Sequence, residues 1–264
     1  MKIFEILVPG IWIDLEDKDV AFRLQNYING IHSKFNEAVM LLSLFEQSQA
    51  TAKSQFDESS TADPVREVDN TASSDADDLA TRMIESPEKS DEIFRNWSME
   101  QIAKRRKHWE SGAVPLEYSR SLPFAYARAF LYSVWTIGKL FDQVSTCDGL
   151  PENVLPVAKN FHSALPSLKG LRDSSAHIDE RLDGRARGKK IRTKSINNRL
   201  AQIPEGSFVF SENLFGNKFI GTVATGELAE LAITGETLVH VQRCFQDLLD
   251  SFSWTGVGRL HPES

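Results

Sequence analysis

Arg172, Asp173 and His177 fall within six residues, in the stretch Leu171-Arg172-Asp173-Ser174-Ser175-Ala176-His177. A guanidinium keeps its charge at physiological pH and grips a phosphate with two parallel donors. An imidazole takes up or releases a proton near neutrality. A carboxylate four residues before a histidine shares its helix face, where it would fix the tautomer and favour the charged ring. Such a set suits cleavage of RNA by its own 2′-hydroxyl. A base removes the hydroxyl proton, O2′ bonds to phosphorus, the P–O5′ bond breaks, and an acid protonates the departing 5′-oxygen. Histidine can serve either proton step, for about 10²- to 10⁴-fold. The arginine meets the charge on the pentavalent phosphate. This chemistry requires no metal or other cofactor, and no cysteine or second histidine clusters in sequence around His177 to hold one.

These residues need a helix to position them. The spacing predicts one through Arg172 and His177, stopping at Gly184. Five residues apart, Arg172 and His177 sit about 140° round a straight helix. They converge only if Arg172 lies in the first turn after Gly170, if its side chain folds over, or if a second copy of the helix faces the first. A basic segment follows at Arg185, Arg187, Lys189, Lys190, Arg192 and Lys194, suited to holding an RNA backbone. The alternative is an exposed helix whose Asp173–His177 and His177–Arg181 pairs contribute a few tenths of a kcal/mol each. His32, His108, His162, His240 and His261 are scattered and read as core-edge or surface residues, although His240 on the last helix could reach the site. Ser174 and Ser175 lack the Gly-x-Ser-x-Gly context of a nucleophile.

The rest of the chain reads as mainly α: a helical bundle with a small inserted β-hairpin and a mobile acidic loop. Val20, Leu24, Ile28, Ile31, Phe35, Leu42 and Phe45 recur at three- and four-residue steps, predicting one long helix from Glu16 to Ser48, with Asn29-Gly30 marking a bend or a break. Ser90 to Glu110 reads as a helix with Ile93, Phe94, Trp97, Ile102 and Trp109 as core positions. Its Lys104-Arg105-Arg106-Lys107 cluster is either a solvated face or a nucleic-acid contact. Leu116 to Val144 is apolar nearly all round and predicts the central helix, with Pro123 in its first turn and Arg128 and Lys139 as polar exceptions. A helix over Glu152 to Leu165 and a last one over Glu236 to Ser253 complete the bundle. Lys2 to Asp14, broken by Pro9-Gly10, predicts a short strand or extended arm. Residues 205–233 predict the hairpin, with strands at Ser207–Phe210 and Lys218–Val223 joined through Asn213 to Asn217. Glu227 to Ile233 is a third strand or not; its alternation leaves this open.

Residues 49–88, rich in Ser, Thr, Ala, Asp and Glu, cannot bury enough apolar surface to offset ordering entropy and are expected to be mobile, with a short helix at Asp77 to Ile84. Of 30 basic and 37 acidic residues, four and twelve lie between Gln49 and Glu92, leaving 26 and 25 elsewhere. The net charge of −7 therefore belongs to one segment and does not exclude an anionic partner. Apolar content of 41% fits a single globular domain over residues 1–264. No membrane span and no signal peptide are expected. Two isolated cysteines, Cys147 and Cys244, fit a cytoplasmic protein without disulfides.

Arg-x4-His on a late helix of a bundle, with a short polar residue after the arginine, resembles the motif of the HEPN superfamily, a helical-bundle family containing many RNases of toxin–antitoxin, abortive-infection and CRISPR systems. The continuation His177-Ile178-Asp179-Glu180-Arg181-Leu182-Asp183 is similar to a motif of uncharacterised bacterial proteins of that type. The resemblance implies an endoribonuclease with Arg172 as phosphate clamp, His177 as acid/base and Asp173 as orienting residue. It also implies a homodimer through the Arg172–His177 helix, and a protein partner or antitoxin. Asp173 stands where that family most often has Asn. The alternative within the same family is a non-catalytic ligand- or protein-binding module.

Overall fold

The computed structural model describes residues 2–58, 77–197, 202–206 and 212–262. The protein is mainly α with small β elements. Two compact units divide it: residues 1–45 with 124–264, and residues 46–123.

The first unit holds the core. Helix α1 (Lys18–Glu58) contributes Leu24, Ile28, Ile31, Phe35, Ala38, Leu42 and Phe45, all buried along one stripe. Asn29-Gly30 does not break it. Gly30 is instead a contact point: a Cβ there would lie 3.1 Å from Leu140 Cδ1 of helix α4 (Leu116–Val144). Helix α4 buries Ala127, Phe130, Leu131, Val134, Ile137 and Phe141. Helices α5 (Val154–Ala164) and α8 (Gly235–Asp250) close over the same cluster. Phe141 stacks on Phe161 at 5.0 Å, and Phe35 meets Phe245 at 6.4 Å. Burying such side chains stabilises by about 1.5–3 kcal/mol each. Thr234 caps α8, its hydroxyl accepting from the Thr237 amide. Between α5 and α8 lie α6 (Leu168–Ala176) and α7 (Ile178–Leu182).

Short strands tie the chain's two ends to this core. Strand β1 (Ile6–Val8) pairs antiparallel with β11 (Arg259–His261), and β2 (Trp12–Ile13) with β10 (Trp254–Thr255). The extended arm read from Lys2 to Asp14 is thus two strands, and the segment read only as the end of the last helix supplies their partners. On its other side β1 is held by α8. Gln246 accepts from the Leu7 amide (2.9 Å) and donates to the Leu7 carbonyl (2.8 Å), while Gln242 donates to the Glu5 carbonyl (2.6 Å).

The inserted hairpin is an antiparallel meander of three strands: β7 (Asn213–Phe215), β8 (Lys218–Thr222) and β9 (Leu228–Ala232). Asn213 to Asn217 is therefore not only a connection. Its first three residues form a strand, and Gly216, at φ 58°, makes the turn with Asn217. The third strand forms. The strand expected at Ser207–Phe210 lies outside the described residues. Strands β3 (Arg185–Ala186), β4 (Lys189–Lys190), β5 (Ile196–Asn197) and β6 (Gln202–Ile203) precede the meander in the chain and pair as two further short ribbons, β3 with β4 and β5 with β6.

In the second unit, α1 runs on to Glu58, ten residues past the expected end, because Gln49, Ala50, Ala52 and Gln55 are good helix formers and no breaker intervenes. Residues 77–85 form helix α2, as expected near Asp77 to Ile84. A 3₁₀ turn (Pro87–Lys89) leads into α3 (Ser90–Glu110). The core positions assigned to α3 are not core. None of its residues is buried, and Phe94, Ile102 and Trp109 are exposed. Pro123 lies inside α4 rather than in its first turn, because α4 already starts at Leu116, after Pro115. No helix among the described residues is long and apolar enough to cross a membrane.

Candidate functional site around His177

Helix α6 is anchored on both sides. Leu168 and Leu171 enter the core, and Ser174 and Ser175 are buried towards the meander. The Ser174 hydroxyl donates to the Thr222 carbonyl at 2.7 Å. The Ser175 hydroxyl donates to Glu212, whose carboxylate is almost wholly buried and also meets Arg128 at 3.5 Å. Gly170 lets the helix approach the end of β8, since a Cβ there would lie 2.8 Å from Val223 Cγ1.

Arg172 points to α4. Its guanidinium carbon lies 4.1 Å from the Trp135 ring centroid and 6.0 Å from that of Tyr132. Nη1 donates to Asp173 Oδ1 at 3.2 Å, and Nε is buried without a partner among the described residues. The arginine side chain is 28% exposed. Arg172 and Asp173 therefore come together, as a pair bound to each other.

His177 stands apart. Helix α6 ends at Ala176, and His177, with φ −116° and ψ 48°, is the hinge between α6 and α7. Its amide still bonds to the Asp173 carbonyl (3.3 Å) and its carbonyl accepts from Arg181 (3.2 Å). The ring is exposed, and no side chain among the described residues is hydrogen-bonded to it. The Asp173–His177 pairing expected from a straight helix does not form, because the helix is not straight there. The His177–Arg181 side-chain contact does not form either.

Arg181 explains the bend. Its side chain is 4% exposed. Nε donates to the Ser174 hydroxyl (3.0 Å) and Nη1 to the Arg185 carbonyl (2.6 Å). Seven residues of straight helix span about 10.5 Å, so the hinge shortens the path from Arg181 back to Ser174. Arg181 thus ties α6, the hinge and the following hairpin together, and Glu180 sits 3.6 Å from it.

The basic segment is that hairpin. Strands β3 and β4 pair Arg185 with Lys190 and Ala186 with Lys189. The turn residues Arg187 and Gly188 both have positive φ, 51° and 75°, the condition for a type I′ turn. Glu180 steadies the non-glycine member by accepting its amide at 2.7 Å. Of the six cations named above, Arg192 pairs with Glu205 (2.9 Å) and Lys194 with Glu227 (2.6 Å). The Lys194 hydrogen bond holds the Glu227 carboxyl below its ordinary range. Arg185, Arg187, Lys189 and Lys190 are exposed, and none of their side chains has a carboxylate partner among the described residues. Gly226, at φ 82°, lets the loop after β8 pass under Arg192, where a Cβ would collide with the Arg192 carbonyl.

Three contributors were missed in sequence. Arg181 carried only a surface role there, Glu212 carried none, and Trp135 was read as core. The only available signals were Arg128, as a charge on an apolar helix, and the Arg-Gly pair at 187–188. His240 does not reach the site. It lines an open cavity of about 710 Å³ with Lys2, Phe4, Glu236 and Arg243, and its ring lies 3.4 Å from the Cys244 sulfur. Burial pushes that thiol up to about 11. No family model, no curated protein and no solved structure matches this chain.

Proposed function

We propose that the chain is a HEPN-type endoribonuclease that binds single-stranded RNA on the 185–190 hairpin and cleaves it by proton transfer at His177. One observation carries this reading. Among the described residues, an exposed imidazole without a carboxylate partner sits on a hinge followed, after the five-residue α7, by a hairpin with four cations that have no carboxylate partner. Backbone phosphates are drawn by such charge whatever the base sequence. Arg172 clamps the scissile phosphate in this reading, meeting His177 across two facing copies of the helix and exchanging its bond to Asp173 for the phosphate oxygens while Trp135 holds the guanidinium. No metal ion takes part in the steps assigned to these residues.

The test is incubation of a mixed single-stranded RNA with purified protein in EDTA, alongside His177→Ala. Cutting by the wild type alone, with 2′,3′-cyclic phosphate ends, supports the reading. Equal cutting by both proteins refutes it.

The Arg172–Asp173 pair favours a second reading. A guanidinium already bonded to a carboxylate and covered by Trp135 and Tyr132 is what a non-catalytic binding module would have. Saturable RNA binding without turnover, weakened by hairpin substitutions and untouched by His177→Ala, identifies that case.

A further inference from the structure

His32 of α1 and His261 of β11 pack ring against ring, edge to face, with centroids 4.6 Å apart. His32 is half-buried, and its Nε2 is shielded from solvent without a hydrogen-bond partner among the described residues. The surroundings offer an incoming proton no compensation. Helix α8 turns the uncharged Phe245 ring towards His32 at 6.0 Å, and β11 turns His261. On β1, Ile6 is the residue opposite His261. His261 is the one charged or titratable group among the described residues that acts on His32, and when protonated it repels.

The two strands that meet here are held unequally. Strand β1 is fastened to α8 through Gln242 and Gln246 and also pairs with β11. Strand β11 has the ladder to β1, and its histidine lies against His32. We infer that His32, packed against His261, is a proton-operated latch: a proton on the shielded His32 ring releases β11 and leaves β1 in place on α8.

The sign follows from the shift. Burial first, and then His261, lower the His32 pKa from its ordinary 6.5. The unfolded or released chain therefore binds the proton better than the latched one. Latching is full above about pH 6.5 and weakens as the pH falls through the lowered value.

The experiment is amide hydrogen exchange on the full chain at pH 7.5 and pH 5.0, each rate divided by the unstructured-peptide rate at that pH. Residues 259–261 are expected to lose protection several-fold at the lower pH in the wild type, while residues 6–8 and α8 keep theirs. His32→Phe fills the same space without a titratable nitrogen and should abolish the loss. His261→Gln serves as a second variant and should make the loss shallower. Equal acid sensitivity in the wild type and a folded variant overturns the latch, as does simultaneous loss of protection in β1 and β11.

Discussion

His162 and His177 are both exposed imidazoles near the ends of short helices, and each has an aspartate that could serve it. His162 Nε2 lies 2.7 Å from Asp142 Oδ1, across the α4–α5 contact fixed by the stacked Phe141 and Phe161 rings. Asp142 also takes Lys139 at 3.0 Å. Burial raises its pKa, but the bonds from Lys139 and His162 outweigh this, and the net shift is downward. Asp173, four residues from His177, bonds to Arg172 instead. The pair twenty residues apart is joined and the pair four apart is not. Helical spacing gives proximity only while the helix is straight, whereas core packing brings distant residues together regardless of sequence separation. His162 has its Nε2 occupied by Asp142, whereas the His177 ring has no side-chain partner among the described residues.

The largest test of that contrast is catalytic. His177→Ala should lower RNA cleavage by about 10²- to 10⁴-fold, while His162→Ala leaves the rate unchanged; gel-resolved cleavage of a labelled RNA reads both.

Next comes the hinge that separates Asp173 from His177. Arg181→Met leaves the Arg185 carbonyl without its donor and removes the bond to Ser174, at a cost of about 2–3 kcal/mol in urea unfolding. Asp173→Asn should change stability by less than about 0.5 kcal/mol. Similar losses in both variants would show that the hinge does not depend on Arg181.

The hairpin comes third. Replacing Arg185, Lys189 and Lys190 together with alanine should flatten the salt dependence of single-stranded RNA binding, by about 0.7 in slope for each phosphate left without its cation. Arg192→Ala, which removes a cation already paired with Glu205, should change the slope less.

The smallest effect concerns Asp142. Its folded pKa is depressed, so the unfolded chain binds the proton better. Its contribution is present above the ordinary value of 3.8 and is lost as pH falls through the folded pKa. The group is 40% exposed, and solvent screening limits the effect to a few tenths of a kcal/mol. Asp142→Asn should remove that part of the acid sensitivity from the unfolding midpoint as the pH falls below 3.8.

The helices were legible because a long amphipathic stripe repeats its signal many times. Leu24 to Phe45 sets the face of α1 through eight buried apolar residues. The strands at the chain's ends were not legible as a pair. They are two or three residues long and meet partners more than 240 residues away, so local alternation carries almost no information about them. The site divides in the same way. The residue types Arg172, Asp173 and His177 and the basic segment can be read directly from the sequence. The hinge at His177 cannot, because it depends on a bond from Ser174 to Thr222 in the meander and on side-chain bonds from Arg181 back to Ser174 and on to Arg185, none of which helical spacing announces. Glu212 gave no signal for the same reason.

The amide of Gln246 has a consequence for how copies of this molecule meet each other. A two-stranded ribbon normally presents an open outer edge, where amides and carbonyls can template a strand from another chain. Gln246 fills both hydrogen-bonding positions of Leu7 on that edge, as a neighbouring strand would. Leu7 and its cross-strand partner Leu260 are both exposed and apolar, which makes this the place where unwanted strand addition would otherwise begin. Gln246, with Gln242 at the Glu5 carbonyl, thus occupies the outer edge of β1, and Gln246→Leu should raise concentration-dependent aggregation relative to the wild type.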